Sequence, residues 1–384
     1  MAKAKLQTRH DRVLIVSAYA EPHLGGVEVV AGQQARTLAA LGRDVTIVTS
    51  RCDRNVAKHE QVDGFTIVRV PAWNGLEDLK GVPLPIWSPV SFLKLARLIR
   101  KADVIHVHDV YHASSIIAAG LAKLLRLPLF LTQHVAIVDH DTAAVRFFQN
   151  LVYSSVARLL WRWAATITVY NPIVEGFIAS KGVPNSKIRL SYNGIDTAKF
   201  RPGDQPAAIA TRGRFGLPTD VPVVLFVGRL VPKKGVDKLI DARGPEYHIA
   251  LAGPGKIPDD RPAGVTFLGP VDREELRGLY QASDIFALPA VGEMLTLAMQ
   301  EAMSCGLPVV TSDDDGYARY GIDPAGVALV SPEPAALRSA FLDILRDQPR
   351  RRYMQSYSRQ LAEERFDWHK NAAQLESDHA LARR

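Results

Sequence analysis

Short apolar runs alternate with longer amphipathic stretches along almost the whole chain, and this alternation constrains the fold more than any other feature. Apolar runs of this length are typical of buried strands, and the stretches between them are typical of helices that cover a sheet. The alternation therefore predicts an α/β protein with open parallel sheets.

The predicted elements form two series, one in each half of the chain. The strands predicted in the first half are Arg12–Ser17, Asp44–Thr49, Thr66–Val70, Val104–His108, Leu127–Gln133 and Thr166–Tyr170. The helices predicted there are Val27–Leu41, Val90–Lys101, Ser114–Leu125 and Pro172–Ser180. The strands predicted in the second half are Val223–Val227, His248–Ala252, Val265–Leu268, Ile285–Leu288 and Pro308–Thr311. The helices predicted there are Val236–Ala242, Asp272–Ala282, Thr296–Ser304 and Glu333–Arg346.

The chain has 384 residues, enough for two domains, and Pro, Gly and Asp crowd the stretch Arg201–Asp220 between the two series. We therefore expect a first domain over residues 1–200, a second over 201–350 and a polar helical tail over 351–384. In open α/β sheets, ligands bind at the carboxyl ends of the strands.

Composition excludes several classes of protein. Apolar residues make up 47% of the chain and charged residues 23%, so it is neither disordered nor fibrous. Cys52 and Cys305 are too few for a disulfide framework or a four-ligand zinc site, which favours a reducing compartment. The first apolar run is too short for a signal peptide, and no segment reaches the ~18 apolar residues of a membrane span. We expect a cytoplasmic protein.

The net charge of +7 comes from the first half of the chain. Residues 1–200 hold 24 basic and 15 acidic side chains, and the remainder holds 23 and 25. Residues 85–101 and 146–163 combine apolar and aromatic side chains with Lys and Arg. Such segments suit either an interfacial helix on an anionic membrane or a core-facing helix with a solvated basic face. Nucleic acid is not expected, because no recognised module is present and the charge is mild.

Gly25 and Gly26 lie between the first predicted strand and the first helix. Free amides at a helix start, together with the helix dipole, favour an anion there. An ordinary tight turn would use the same residues, and the GxGxxG pattern of dinucleotide oxidoreductases is absent.

Arg229 and Lys234 follow the first strand of the second half, in the stretch GRLVPKKG that begins at Gly228. Two cations at a strand–helix junction suit a diphosphate, with Arg as a planar fork and Lys as a point charge. The alternative interpretation is a solvated turn.

Glu293 and Glu301 flank a predicted helix start formed by Met294, Leu295, Thr296 and Leu297. Amides at a helix start lack internal partners, so they suit a phosphate, while the carboxylates suit hydroxyl groups. Alternatively, Glu293 caps the helix and Glu301 is a surface charge. The apolar neighbours of Glu301 instead predict a buried partner or a ligand.

The stretch Glu293-x7-Glu301-Ala-Met-Ser-Cys-Gly-Leu-Pro-Val-Val resembles the EX7E region of the family 4 retaining glycosyltransferases. These enzymes have the GT-B fold. The resemblance also covers five further segments: Gly25-Gly26, 191–196, 228–235, 267–284 and 365–372. It implies two Rossmann-like domains whose parallel sheets face a central cleft, with a tail helix that crosses back to the first domain.

The resemblance also implies an activity. A sugar would pass from a nucleotide-diphosphate sugar to a hydroxyl of a glycan, glycolipid or small-molecule acceptor, with retention at the anomeric carbon. The acceptor would bind the first domain and the donor the second. No cofactor and no metal is implied, because Arg and Lys take the role of the cation.

Several residues match positions with known roles in the family. Arg229 and Lys234 would hold the donor diphosphate, with the loop of Gly25 and Gly26 closing on it. Glu293 would contact sugar hydroxyls and Glu301 the ribose. Val271 would lie against the base, and His134 matches the histidine placed beside the donor sugar.

His134 has rivals among the eleven histidines, namely His106, His108, His112 and His140. His106 and His108 share one face of a strand, which raises the possibility of a metal site. No third ligand can be identified by spacing, so no metal is predicted.

The chain departs from the family pattern at two places. Met294-Leu295-Thr296 stands where the family has Gly-Phe-Gly, which leaves the identity of the donor sugar open. The helix after Lys234 is also short. Two other functions remain possible: a related GT-B enzyme such as a nucleotide-sugar epimerase, and a membrane-docked binding protein without catalysis.

Overall fold

The structure is a computed structural model, and it describes residues 12–23, 25–53, 55–75, 77, 84–135, 143–293 and 295–381. The chain divides into two compact units. The first unit holds the described residues up to Ser191 and those from Asn371 onward, and the second unit is Tyr192–Lys370. The division lies before the expected position at residue 200, and the return to the first unit lies after residue 351.

The first unit is an α/β layer structure. Its strands are β1 (Arg12–Val16), β2 (Asp44–Arg51), β3 (His59–Val62), β4 (Phe65–Trp73), β5 (Ile86–Trp87), β6 (Val104–His108), β7 (Leu129–Gln133), β8 (Thr166–Val169) and β9 (Ile188–Leu190). Its helices are α1 (Gly26–Ala40), α2 (Pro89–Ile99), α3 (Ala113–Leu124), α4 (Ala143–Ser154), α5 (Val156–Trp163) and α6 (Pro172–Ser180). The strand order is β3-β4-β2-β1-β6-β7-β8-β9, with β5 paired to β4. All pairs are parallel except β3–β4 and β4–β5.

The sheet of the first unit is buried on both faces. Val13 and Ile15 of β1 belong to one apolar cluster, and Leu14 and Val16 belong to the other. Successive side chains of a strand point to opposite faces, so a continuous apolar run is what a strand covered on both sides requires. Leu375, from the end of the chain, packs into the cluster of Val13.

The second unit contains β10 (Val223–Val227), β11 (His248–Ala252), β12 (Val265–Gly269), β13 (Ile285–Leu288), β14 (Val309–Ser312) and β15 (Ala328–Val330). Its helices are α7 (Gln205–Arg214), α8 (Val236–Asp241), α9 (Arg273–Gln281), α10 (Leu297–Ser304), α11 (Gly316–Arg319), α12 (Pro334–Arg346) and α13 (Gln348–Leu361), and α14 (Trp368–Leu381) continues into the first unit. The strand order is β12-β11-β10-β13-β14-β15, and every pair is parallel.

The sequence prediction missed four short strands: β3, β5, β9 and β15. The sequence of β3, His-Glu-Gln-Val, is largely exposed at a sheet edge and has no apolar run to reveal it. The expected linker Arg201–Asp220 was wrong in part, because it contains α7. The side chain of Asp204 caps that helix by accepting a hydrogen bond from the amide of Ala207 at 2.9 Å.

Candidate functional site

The carboxyl edge of the second unit's sheet carries most of the predicted site residues. Strand β10 lies between β11 and β13, so successive strands proceed to one side of β10 and then to the other. Ligands of open α/β sheets bind at such a switch point. Gly228 and Arg229 follow β10, and Glu293 lies in the loop after β13. The structure therefore brings the two motifs to adjacent strand ends.

The turn after β10 presents two cations. The amide of Gly228 donates to the carbonyl of Ala252 at 2.9 Å, which ties the turn to β11. Arg229 is exposed, and Lys234 ends a short 3₁₀ turn. The next residue, Gly235, has φ 69°, and a Cβ there would lie 2.3 Å from the carbonyl oxygen of Pro289. Only glycine fits this position, because backbone blocks any side chain.

Lys234 forms an ion pair with Glu293. The side chains are only 16% and 22% exposed, so the pair is partly withdrawn from water. A carboxylate beside Lys234 shows that this ammonium group is positioned for an anionic oxygen.

The loop after Glu293 has an unusual backbone. Leu295 has φ 45° although it is not glycine, and its side chain is buried. Its carbonyl accepts a hydrogen bond from Nε2 of Gln300 at 2.6 Å. Thr296 caps α10 by accepting from the amide of Met299, so the cap is Thr296 and the alternative role of Glu293 as a cap was wrong. Leu297 is the first residue of that helix, whereas Met294 lies outside the described residues.

Glu301 is buried on α10 and has the polar partners that its apolar surroundings predicted. Tyr280 donates its hydroxyl to one carboxylate oxygen at 3.0 Å, and Arg273 approaches the other at 3.4 Å. Burial raises the pKa of Glu301, and the nearby positive charge of Arg273 opposes this rise. Half-buried Val271 lies between β12 and the helix α9 that carries both partners.

In the first unit, Gly25 and Gly26 are at the start of α1, as predicted. The first turn of this helix carries a carboxylate, Glu28, whose side chain lies against Gly25. A Cβ on Gly25 would lie 2.2 Å from Oε2 of Glu28, so the Glu28 side chain folds back over the glycine. His23 holds that carboxylate through Nδ1 at 3.0 Å. Burial of an acidic group at a helix start is consistent with the helix dipole.

His134 immediately follows β7 and belongs to a buried polar cluster. Its Nε2 lies 3.0 Å from Nδ1 of His108, whose Nε2 lies 3.1 Å from Oε1 of Gln34. The amide of His134 donates to Asp109 at 2.8 Å. His106 contacts Thr132 at 2.7 Å, and its ring stacks on that of His108.

Burial keeps these histidines neutral. It lowers the pKa of His106 to about 4 and that of His134 to about 3, and it places the pKa of His108 well below the usual value. Burial also raises the pKa of Asp109 to about 7. Within the described part of the chain, no group of three or more His, Cys, Asp or Glu has an arrangement that could hold a metal ion. The rival His112 is buried apart on the N-cap of α3, and His140 lies outside the described residues.

Sequence reasoning missed the residues that hold the predicted ones in place. Tyr280, Arg273 and Gln300 were hidden because each looks like an ordinary helix residue. Gln34 was hidden for the same reason, although a buried Gln on a helix is a signal that could have been used. Asp109 was missed because it directly follows β6 and looks like an ordinary polar residue at a strand end.

Comparison with known proteins links both units to one group of enzymes. Residues 24–199 match the family model "Glycosyltransferase Family 4", and residues 209–361 match the model "Glycosyl transferases group 1".

Curated relatives are similar over most of their length. D-inositol 3-phosphate glycosyltransferase of Xylanimonas cellulosilytica is 28% identical, with 98% of each chain covered. The enzyme of that name from Mycobacteroides abscessus is 30% identical, over 81% of this chain and 76% of the relative.

Solved structures have the same architecture. HepE of Anabaena, in complex with UDP and glucose, has a TM-score of 0.76 at 18% identity, with 97% of this chain and 100% of that chain covered. Sucrose-phosphate synthase of Thermosynechococcus elongatus has a TM-score of 0.74 at 22% identity, with 97% and 98% covered.

Proposed function

Because the chain belongs to the family 4 glycosyltransferases, which have the GT-B fold, we propose that it transfers a sugar from a nucleotide-diphosphate sugar to a hydroxyl acceptor with retention at the anomeric carbon. The observation that carries the proposal is the placement of Lys234 against Glu293 at the switch point of the second unit. Both side chains come from the loops where a ligand of this fold binds.

In this proposal the second unit binds the donor. Arg229 and Lys234 hold the diphosphate, and the amides of residues 295–297 at the start of α10 face it. Glu293 releases Lys234 when the diphosphate arrives and turns to the sugar hydroxyls. Glu301 takes the ribose, and Val271 lies against the base. The buried setting of Glu301, with Tyr280 and Arg273 as its partners, supports a fixed acceptor of ribose hydroxyls.

Transition-state stabilisation would be electrostatic. As the glycosidic bond breaks, negative charge grows on the departing diphosphate, and pre-positioned cations lower the barrier most where charge develops. The leaving diphosphate then takes the proton of the acceptor hydroxyl, and attack comes from the same face. Since Arg229 and Lys234 supply the positive charge, the reaction requires no metal.

The first unit would bind the acceptor at the carboxyl edge of its sheet. His134, which would lie beside the donor sugar, and the glycine loop at Gly25 and Gly26, which would close on the diphosphate, lie at the same edge. The curated relatives act, by their names, on D-inositol 3-phosphate, which makes this phosphorylated polyol the first acceptor to test.

The experiment begins with a thermal-shift screen of nucleotide-sugars. A donor at 100 times its Kd is expected to stabilise the protein by ~2.7 kcal/mol. The donor that binds is then incubated with D-inositol 3-phosphate and other polyols, and the anomeric configuration of the product is read by proton NMR. An inverted product would overturn the retaining mechanism. Isomerisation of the donor without any acceptor would indicate an epimerase instead.

A specific surface of the first unit supports peripheral attachment to an anionic membrane. Helix α2 and the end of β4 form a groove of about 310 Å³ that is mostly apolar and rimmed by Lys94, Arg97 and Lys101. Val90 and Leu93, on the outer face of α2, are 69% and 61% exposed. Burial and the positive charge of nearby Lys58 lower the pKa of Lys94. A further cation therefore lies close to this rim.

We propose that this surface, called here the α2 surface, binds an anionic lipid bilayer. Apolar side chains enter the interface while the cations meet lipid phosphates, each contributing about 1 kcal/mol. No helix in the described ranges is long and apolar enough to cross a membrane.

Sedimentation with vesicles tests the α2 surface. The triple variant Lys94→Glu, Arg97→Glu and Lys101→Glu is expected to lose roughly 100-fold in partitioning to phosphatidylglycerol vesicles. The matched control makes the same charge change at three exposed arginines of the second unit, Arg346, Arg350 and Arg352. Equal losses in both variants, or equal binding of the unmodified protein to neutral vesicles, would contradict the proposal.

A further inference from the structure

Four side chains of the first unit form a continuous chain of hydrogen bonds that ends at His134. Gln34 of α1 donates Nε2 to the hydroxyl of Tyr170 at 3.0 Å. Its Oε1 lies 3.1 Å from Nε2 of His108, and Nδ1 of His108 lies 3.0 Å from Nε2 of His134. Gln34 and His108 are buried, so water cannot replace these partners.

The direction of each hydrogen bond follows from the first. Since the amide nitrogen of Gln34 faces Tyr170, its oxygen faces His108 and can only accept. Nε2 of His108 therefore carries the proton. A neutral imidazole has one N–H, so Nδ1 of His108 is an acceptor, and Nε2 of His134 must donate to it. This leaves Nδ1 of His134 with a lone pair and no proton.

This chain of hydrogen bonds requires neutral imidazole rings, and the buried cluster keeps them neutral. The rings of His108 and His134 stack with centroids 5.2 Å apart, an arrangement in which two imidazolium charges would repel. Burial lowers the pKa of both side chains far below their usual values. At neutral pH each ring therefore holds one proton.

Hydrogen bonds also fix the backbone at His134. Asp109 directly follows β6 with φ 57°, and its carboxylate accepts the amide hydrogen of His134 at 2.8 Å. The amide of Asp109 donates in turn to the carbonyl of Thr132 in β7 at 2.9 Å. The described residues offer Nδ1 of His134 no hydrogen-bond partner, and the residue is partly exposed.

We propose that Gln34 and His108 are positioning residues that hold His134 in the Nε2-protonated tautomer, so that its Nδ1 accepts a hydrogen bond from a hydroxyl of the sugar substrate. The inference rests on the proposed function for the nature of that substrate. An acceptor nitrogen selects a hydroxyl group, which can donate, and disfavours a phosphate oxygen, which cannot. The tautomer is thus a specificity element that this chain builds from residues outside the predicted motifs.

Nitrogen NMR of the full chain with ¹⁵N-labelled histidine tests the tautomer without any substrate. The signals of His134 are assigned by their loss in His134→Asn. We expect an unprotonated Nδ1, which resonates far downfield of a protonated nitrogen, coupled to a ring with a protonated Nε2. A protonated Nδ1 on His134 would overturn the proposal, whatever the protein transfers.

The variant Gln34→Leu tests the positioning role. We expect a mixed tautomer at His134 and a fall in kcat of roughly 10-fold or more, with the KM for the donor changed much less. Gln34→Glu keeps an acceptor towards His108 and accepts from Tyr170, so it is expected to rescue the tautomer and most of the turnover. Gln33→Leu, on the same helix but outside this chain of hydrogen bonds, is the matched control.

The outcomes separate this inference from the proposed function. A changed tautomer in Gln34→Leu with unchanged kcat would refute the role of Nδ1, while sugar transfer itself would stand. Absence of sugar transfer by the unmodified protein would refute the proposed function and, with it, the substrate hydroxyl. Thermal unfolding of each variant shows whether a loss reflects misfolding.

Discussion

Lys234 and Glu293 are ion-paired although 59 residues separate them in the sequence. Lys234 lies in the turn after β10 and Glu293 in the loop after β13, and these two strands are neighbours in the sheet. The pair thus links two motifs that lie far apart in the sequence. It also shows which of two adjacent lysines faces the site, because Lys233 is exposed.

Replacing Lys234 by Ala is expected to reduce kcat by about 100-fold or more, because it removes a cation that stabilises the departing diphosphate. Arg229→Ala should have an effect of similar size. The measurement is steady-state transfer with the donor found in the thermal-shift screen. Lys233→Ala, which removes an equal charge one residue away, is the control and should keep most of the activity. Equal losses at Lys233 and Lys234 would argue for a general charge effect.

Gly235→Ala is expected to destabilise the second unit. The residue has φ 69°, and a Cβ would meet the backbone of Pro289 at 2.3 Å, so the turn that carries Lys234 must shift. We expect a loss of more than about 1 kcal/mol in the free energy of unfolding, together with weaker donor binding.

The comparison variant is Gly213→Ala, in α7, where no atom lies within 4 Å of the added Cβ. This change should stabilise by about 0.5–1 kcal/mol, because it lowers the entropy of the unfolded chain and improves helix propensity. Urea unfolding measures both. A neutral effect of Gly235→Ala would show that the turn can relax.

The stability of Glu301→Gln relative to the unmodified protein is expected to grow as the pH rises. The pKa of Glu301 is raised by burial above the unfolded value of 4.5, so the folded state binds the proton more tightly. Below pH 4.5 the Glu301 carboxyl is protonated in both the folded and the unfolded protein, and its full contribution to the free energy of unfolding is present. As the pH rises towards the folded pKa, the unfolded state releases its proton first, and stability is lost.

The test compares urea unfolding of Glu301→Gln and the unmodified protein between pH 4 and 8. The stability of the variant relative to the unmodified protein should grow from about pH 4.5 upward, while its donor affinity falls. A difference in stability that does not change with pH would contradict the assigned environment of Glu301. An unchanged donor affinity would contradict its role at the ribose.

Chelation is expected to leave sugar transfer unchanged. The proposal assigns the positive charge at the diphosphate to Arg229 and Lys234, so no divalent ion is needed. Turnover is measured before and after dialysis against EDTA, and again with added Mg²⁺ or Mn²⁺. Loss of activity on chelation with recovery on one metal would refute metal independence.

The fold was predictable where strands are covered on both faces. The bounds of β6, β10, β11 and β13 match their predictions to the residue. Strands β10 (Val-Val-Leu-Phe-Val) and β13 (Ile-Phe-Ala-Leu) are uninterrupted apolar runs, as a strand covered on both sides requires. Edge strands lack that signal, and β3 was missed for that reason. The helix in the expected linker was missed because Pro and Gly suggested a break, whereas Pro206 occupies the first turn of α7, where its missing amide hydrogen is not needed.

The site was predictable only in its local parts. Arg229 and Lys234 belong to one strand–helix junction, so spacing alone was enough to associate them. Tyr280 and Arg273 reach Glu301 from another helix, 21 and 28 residues away. No periodicity in the sequence connects them.

By itself, the sequence determined the layer architecture, the positions of the central strands and the family, since these depend on hydrophobic patterns and short motifs that are local in the chain. Only the tertiary structure decided that Glu293 pairs with Lys234, that Tyr280 and Arg273 hold Glu301, and that Gln34 reaches His134 through His108. The reason is physical. Which polar groups meet in a buried place depends on how helices and strands pack, and burial then makes each hydrogen bond, proton and charge depend on its neighbours.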